Sequence, residues 1–416
     1  MVKYLTMSRV LITGIGAVTP IGGTFGESWR AAVEGKTGVR PISRFDAAGI
    51  PWKMAGEIDA FPAASFLGQK EQRRTDPFVH YAVAAALMAA EDAGLAVQDG
   101  PRRSPLLRGG VLIGSSRGGI STIENALRSS LNGKNRLSAY LMPSTTVGMA
   151  SSYVAQKLGI RGYCLGISNA CASGANAVGE AFRMIKAGFR GPVIAGGTEA
   201  PLCRLCLVGY GTAGALSKKA DPSASSPFDR SRDGFVLSEG ACLMVLEEAE
   251  SALARKAKVY AEIAGYGNSA DAFHQTKPDS RGQIQAMREA IEEAGLSPGG
   301  IDYISAHGTA TLLGDRVEAE AISDVLGERL PQVPVSALKS ITGHMLAASG
   351  ALEAACAAMA VSKGIVPPTV NLRQKDPGCG LNIVTSAEKA GLETALSNSF
   401  GFGGVNAVLV LKRFRG

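Results

Sequence analysis

The sequence predicts an α/β protein built from a duplicated unit. Three observations carry this reading. Apolar runs of strand length alternate with helical stretches along the chain. Residues 172–188 (ASGANAVGEAFRMIKAG) align without a gap on residues 348–364 (ASGALEAACAAMAVSKG), with six identities, four of them leading. Ile12-Thr13-Gly14-Ile15-Gly16 resembles Ile263-Ala264-Gly265-Tyr266-Gly267, and the two echoes keep the same order in both halves. Such self-similarity argues for two α/β halves. The break falls near residue 255, giving units 8–255 and 256–416. No Pro/Ser-rich linker marks it, so the halves should pack as one body.

Val10-Leu11-Ile12-Thr13 is a strand signal, followed by Gly14-Ile15-Gly16. A dinucleotide fingerprint would need a third glycine where Thr19 stands, with Pro20 behind it. The expectation is a buried strand ending in a tight turn. Asp76 to Gly94 reads as a helix, apolar at Val79, Ala82, Ala86 and Ala90. Gly110 to Gly114 reads as a strand ending in Ser115-Ser116-Arg117-Gly118-Gly119. Further strands are Pro192 to Ala195 before Gly196-Gly197, Cys242 to Glu247, Ile301 to Ile304 and Ala407 to Lys412. Strands alternating with helices predict mostly parallel pairing.

Composition narrows the function classes. Hydrophobic residues make up 46% and charged residues 19%, which excludes a disordered chain and leaves material for a large core. No apolar run reaches the roughly 18 residues of a membrane span. The longest, Ala351 to Val361, carries Glu353. Met1 to Thr6 is too short for a signal peptide, and Met7 is a candidate start. Seven scattered cysteines do not form a disulfide framework, so a reduced, cytoplasmic protein is expected. Cys203-x-x-Cys206 lacks the second pair a zinc site needs, so no metal is expected. The net charge of +7 favours an acidic partner. Basic clusters stand at Lys70/Arg73/Arg74, Arg102/Arg103 and Lys218/Lys219. None is interleaved with aromatics, so nucleic acid is not expected.

Four segments could carry chemistry. Cys171, in Ser168-Asn169-Ala170-Cys171-Ala172-Ser173-Gly174, precedes a helical stretch. The helix dipole there favours a thiolate nucleophile; a buried structural cysteine is the other reading. His307 follows a strand in Ser305-Ala306-His307-Gly308-Thr309-Ala310-Thr311. His344 precedes the second echo helix in Lys339-Ser340-Ile341-Thr342-Gly343-His344. Strand ends of this kind are where α/β sites form, while a lone histidine is more often a satisfied core residue. His80, inside a helix, reads as structural. Asn398-Ser399-Phe400-Gly401-Phe402-Gly403-Gly404-Val405-Asn406 is a mobile glycine loop or a plain turn before the last strand.

Taken together, Ala170-Cys171-Ala172-Ser173-Gly174, Ala306-His307-Gly308-Thr309 with Gly314-Asp315, Lys339-Ser340-x-Thr342-Gly343-His344 and Asn398 to Gly404 resemble the β-ketoacyl-acyl-carrier-protein synthases, closest to the elongating synthase II type. Pro227-Phe228-Asp229-x-x-Arg232-Asp233-Gly234-Phe235-Val236 is a further matching block, and the likeness runs from Val10 to Lys412. It implies the thiolase fold, a duplicated five-layered α/β/α/β/α unit, usually a homodimer. It implies that Cys171 holds an acyl thioester, with the N–H groups of Cys171 and Phe402 as oxyanion hole. His307 and His344 would support decarboxylation of malonyl-carrier protein. Lys339 would order the site through Asp315 or Glu318. Thr309 and Thr311 would bind the pantetheine arm, and Phe402 and Phe400 would gate the nucleophile. Lys70, Arg73 and Arg74 would dock the acidic acyl carrier protein. No cofactor beyond the carrier's phosphopantetheine is implied.

Relatives are separated on the same residues. A thiolase would need a second cysteine in the Phe400–Gly404 loop; a synthase III would have asparagine in place of His344; a chain-length factor would lack Cys171. Three departures stand out. Arg117 replaces an apolar acyl-pocket residue, where a charge is costly unless paired. It suggests a short pocket or a polar primer, or else a salt-bridged residue capping the pocket. Asn169 precedes Ala170-Cys171 where threonine is usual, and Val405 stands where threonine is common. These departures leave open a ketosynthase of a specialised polyketide pathway and, further off, a non-condensing partner subunit.

Overall fold

The computed structural model describes residues 8–95, 104–133 and 137–416. Met1–Met7 and the Arg102/Arg103 cluster lie outside the described residues. The first half supplies β1 (Val10–Val18), β2 (Gly110–Gly114), β3 (Cys164–Ile167), β4 (Val193–Glu199) and β5 (Gly240–Glu248). The second supplies β6 (Ala261–Ala270), β7 (Tyr303–Ser305), β8 (Val335–Ser336), β9 (Thr394–Gly401) and β10 (Val405–Lys412). Their spatial order is β3-β2-β4-β5-β1 and β8-β7-β9-β10-β6. Counted from the first strand of each half, the two orders are the same. Antiparallel pairing of Val10–Ile12 with Ala261–Ile263 joins the halves.

The sheet is mixed, which corrects the expectation of mostly parallel strands. β2 runs parallel to β3 and β4, and β7 to β8 and β9. β5 and β10 run against their neighbours on both sides. A parallel neighbour needs a long crossover, usually a helix. β10 instead returns from β9 through a short turn, which allows only antiparallel pairing.

Helices α1 (Pro77–Asp92), α2 (Ser173–Lys186), α3 (Ser280–Glu293), α4 (Leu312–Leu326) and α5 (Ala347–Lys363) complete the layers. α1 covers the strands of the first half from outside, and α3, with α4 against it, covers those of the second. α2 and α5, the echo segments, pack on each other and touch strands of both halves. α5 is almost all small residues and buried from Ala347 to Ala358, as a helix enclosed on every side must be. α1 starts at Pro77, with Asp76 accepting the Phe78 N–H at 3.0 Å, the expected chemistry for a helix N-terminus. His80 is buried within α1, 3.0 Å from Thr75 Oγ1, as a structural residue.

The glycine echo has a packing cause. A Cβ at Gly14 or Gly16 would strike the Ala89 or Ala85 carbonyl of α1. A Cβ at Gly265 or Gly267 would strike the Ala290 or Ala286 carbonyl of α3. Each pair lets a helix backbone rest on the first strand of its half. Gly14 therefore ends no strand: β1 continues to Val18, with a register shift between Ile12 and Gly14. β4 likewise runs through Gly196-Gly197 to Glu199, and the strand expected over Ile301–Ile304 is Tyr303–Ser305.

Candidate active site

Cys171 stands between the end of β3 and the start of α2. Ala170 before it has φ +48°, a left-handed conformation that costs a non-glycine residue energy and turns the chain sharply. His307 follows β7, and His344 follows β8, before α5. The three meet in one cavity of about 310 Å³, with Thr309, Thr311, Phe400 and Phe402 on its wall. The imidazoles are perpendicular, 5.5 Å between centroids. Phe235 packs edge-on to His344 at 5.0 Å and Phe400 to His307 at 5.8 Å.

Burial governs the electrostatics. It pushes the Cys171 thiol up to about 11, against the pull of Lys339, Arg117 and the Phe402 N–H. The thiolate expected from the helix terminus is thus corrected to a resting thiol. Burial, with Lys339 nearby, holds both histidines well below their usual range, so both are neutral. Lys339 Nζ faces His307 Nδ1 at 3.3 Å, and an ammonium only donates, so the His307 proton sits on Nε2. His344 Nδ1 lies 3.2 Å from Ser349 Oγ, which accepts the Met345 N–H and keeps its own proton to donate. Donation from that hydroxyl to Nδ1 leaves the His344 proton on Nε2.

Lys339 is wholly buried, and its carboxylate partner is Glu353, at 2.5 Å. It also donates to the His307 carbonyl at 2.6 Å. The expected partners have other work. Asp315 accepts the Phe228 and Ala310 N–H groups at 2.7 and 3.0 Å and lies 3.3 Å from Arg232. Glu318 accepts the His307 and Gly308 N–H groups, both at 2.7 Å, and so holds the His307 loop. The sequence signal for Glu353 was its isolation as the one charge in an apolar run.

Other residues escaped the sequence reading. Buried Glu199, at the end of β4, accepts from the Ser115 and Ser116 hydroxyls, both at 2.7 Å, and from the Arg117 N–H at 3.0 Å. It fixes the loop after β2. Tyr210 lines the cavity and accepts from Arg117 Nε at 2.9 Å. Arg117 itself is exposed, stands behind Tyr210 rather than on the cavity wall, and makes no salt bridge among the described residues. Thr309 and Thr311 hydroxyls lie 3.1 Å apart on the wall. Lys70, Arg73 and Arg74 are exposed on and beside a short helix, with Arg74 over the Tyr140 ring at 4.6 Å.

A cavity that gathers a buried thiol, two neutral imidazoles and backbone N–H groups is suited to acyl transfer through a thioester. Residues 7–252 match the beta-ketoacyl synthase N-terminal domain and residues 260–373 its C-terminal domain. The chain belongs to the beta-ketoacyl synthase family. It is 42% identical to 3-oxoacyl-[acyl-carrier-protein] synthase 2 of Synechocystis, over 99% of both chains. It is 42% identical to that of Coxiella burnetii (97% of this chain, 98% of the relative). Among solved structures, the ishigamide ketosynthase/chain length factor matches with TM-score 0.92 and 35% identity, over 99% of this chain and 100% of that one. A beta-ketoacyl synthase from Burkholderia phymatum matches with TM-score 0.90 and 34% identity, over 98% and 100%. A type II PKS acyl-carrier protein in complex with its ketosynthase matches with TM-score 0.88 and 32% identity, over the same shares. The fold is the thiolase fold of these enzymes.

Proposed function

We propose that this chain elongates carrier-bound acyl groups by two carbons, as a decarboxylating 3-oxoacyl-carrier-protein synthase with Cys171 as the acyl acceptor. One observation carries the assignment of roles: Cys171, His307, His344 and Phe402 line one cavity. The Cys171 sulfur attacks the acyl thioester, and its proton leaves with the carrier's thiol. The N–H groups of Cys171 and Phe402 stabilise the oxyanion. Malonyl-carrier protein then enters along Thr309 and Thr311. The Nε2–H groups of His307 and His344 donate to its thioester oxygen as carbon dioxide leaves and charge builds there. The carbanion attacks the acyl carbon, and the Cys171 sulfur is expelled and reprotonated. Lys339, tied to Glu353, keeps His307 a donor at Nε2. Phe400 and Phe402 gate the sulfur.

Lys70, Arg73 and Arg74 form the docking patch for the acidic carrier protein. The substrates ride on its phosphopantetheine, and no other cofactor enters the scheme. The duplicated halves divide at about residue 255 and pack as one body. No helix among the described residues is long and apolar enough to cross a membrane, and the cytoplasm is the proposed compartment. A second copy covers the face around edge strand β3. β3 is an edge strand with two exposed residues in a row, Cys164 and Leu165, and Leu127 (57% exposed) and Met142 (67% exposed) add to an apolar surface in this half.

A second reading, a ketosynthase of a specialised polyketide pathway, is favoured by the likeness to the ishigamide ketosynthase/chain length factor and to a type II PKS ketosynthase. The two are separated by supplying malonyl-carrier protein with a range of acyl-carrier proteins and weighing the products. Long saturated 3-oxoacyl products support fatty-acid elongation; a restriction to short or polar acyl groups supports the specialised enzyme. Release of no carbon dioxide with any of them overturns both.

A further inference from the structure

The cavity wall formed by Thr309 and Thr311 is held in place from outside the loop. Their hydroxyls lie 3.1 Å apart, so one O–H is spent between them. The pair then offers the cavity one free O–H and an accepting oxygen, the complement of a secondary amide. Gly314, also on the wall, leaves room for them, since a Cβ there would strike Thr311 Oγ1. Between the two threonines, Ala310 is buried with φ +65°. A non-glycine residue keeps that left-handed shape only where its surroundings impose it.

Arg232 and Asp315 impose it. The Arg232 side chain is wholly buried. It donates to the Thr311 carbonyl at 3.1 Å and to the Leu312 carbonyl, at the start of α4, at 2.8 Å. It is anchored in turn on the Asp376 carboxylate at 2.8 Å and the Asp229 carbonyl at 2.9 Å. Asp315 accepts the Ala310 N–H, and the Gly234 N–H donates to the Ala310 carbonyl, both at 3.0 Å. Phe228, from the same first-half segment as Arg232, packs in a core cluster whose other members all come from residues 286–410. A segment of one half thus fixes a loop of the other.

We propose that Arg232 is a positioning residue for substrate entry: it holds Thr309–Leu312 in the shape that presents both threonine hydroxyls to an amide of the carrier's arm. This rests on the reading that acyl groups arrive on phosphopantetheine, whose arm contains secondary amides.

The test times acyl loading of Cys171 by intact mass with two donors: acetyl-pantetheine, and ethyl thioacetate, which has no amide. Arg232→Lys keeps the charge but loses the planar fork. Gly314→Ala leaves Arg232 in place, displaces the Thr311 hydroxyl and adds a better helix former, so it should melt no lower than wild type. Both variants should raise KM for acetyl-pantetheine about tenfold, the worth of one or two lost hydrogen bonds. Loading from ethyl thioacetate should not change. Should Arg232→Lys fail to fold, Ala310→Gly is added, because glycine takes a positive φ without strain, and the double variant is compared with Ala310→Gly alone. A wild-type KM for acetyl-pantetheine in either folded variant, or an equal loss with both donors, overturns the proposal. A wild type that acetyl-pantetheine loads no better than ethyl thioacetate overturns the carrier reading itself, and the proposal with it.

Discussion

Lys339 Nζ lies 2.5 Å from Glu353 Oε1, both side chains essentially without solvent, and the same ammonium faces His307 Nδ1. One ion pair thus ties the central helix α5 to an imidazole that follows strand β7. Removing one partner of a buried pair strands the other charge, at about 3–5 kcal/mol. Glu353→Gln should therefore lower the unfolding free energy by that amount and cut condensation more than ~10-fold. Chemical denaturation beside product mass measures both. A stable, fully active variant would contradict the role.

The tautomer argument makes Ser349 a positioning residue. In Ser349→Ala, His344 Nδ1 loses its donor and the proton is no longer held on Nε2. Decarboxylation should fall by about 10²-fold, as for loss of one aligned donor, while acyl loading of Cys171 stays intact. A KM change alone would show that Ser349 only shapes the cavity.

Cys171 is a thiol at rest, raised to about 11 by burial. Alkylation requires the thiolate. A thiol's reactivity grows about tenfold per pH unit below its pKa, so iodoacetamide inactivation should keep accelerating from neutrality past pH 9. A plateau near neutral pH would mean the resting cysteine is ionised.

The glycine echo can be tested by stability. Gly16→Ala and Gly267→Ala each push a methyl into a helix carbonyl, in opposite halves. Each should cost about 1–3 kcal/mol, typical of overpacking. Equal effects would show the two halves packed by one rule; a neutral variant would show that the helix can shift.

The carrier patch is addressed by charge reversal. Lys70→Glu with Arg73→Glu should raise KM for acyl-carrier protein severalfold and weaken the salt dependence of binding. Loading from a small pantetheine thioester should not change. An equal loss with both donors would place the defect in the fold.

Much of this was legible in the sequence because motif residues sit at strand ends, where backbone geometry fixes them. His307 and His344 were read at strand ends and Cys171 at a helix start, and the three face one cavity. The echo anticipated the central helices. Strand direction was not legible, since the reversal of β10 depends on a tight return that a periodic pattern does not record. Nor was the partner of Lys339, because Glu353 reaches it from a helix of the central layer, and pairing across layers leaves no spacing signature. Arg117 was visible as an anomaly, but its place behind Tyr210 depends on the helix Arg204–Thr212, whose position no local pattern gives.

The central claim is that Cys171 carries the growing chain. The most direct measurement is intact-mass spectrometry of the protein after incubation with short, long and dicarboxylic acyl-carrier proteins, beside Cys171→Ala. The account predicts a mass gain equal to one acyl group in the wild type and none in the variant. An equal gain in Cys171→Ala would contradict it, as would a wild type that no acyl-carrier protein loads.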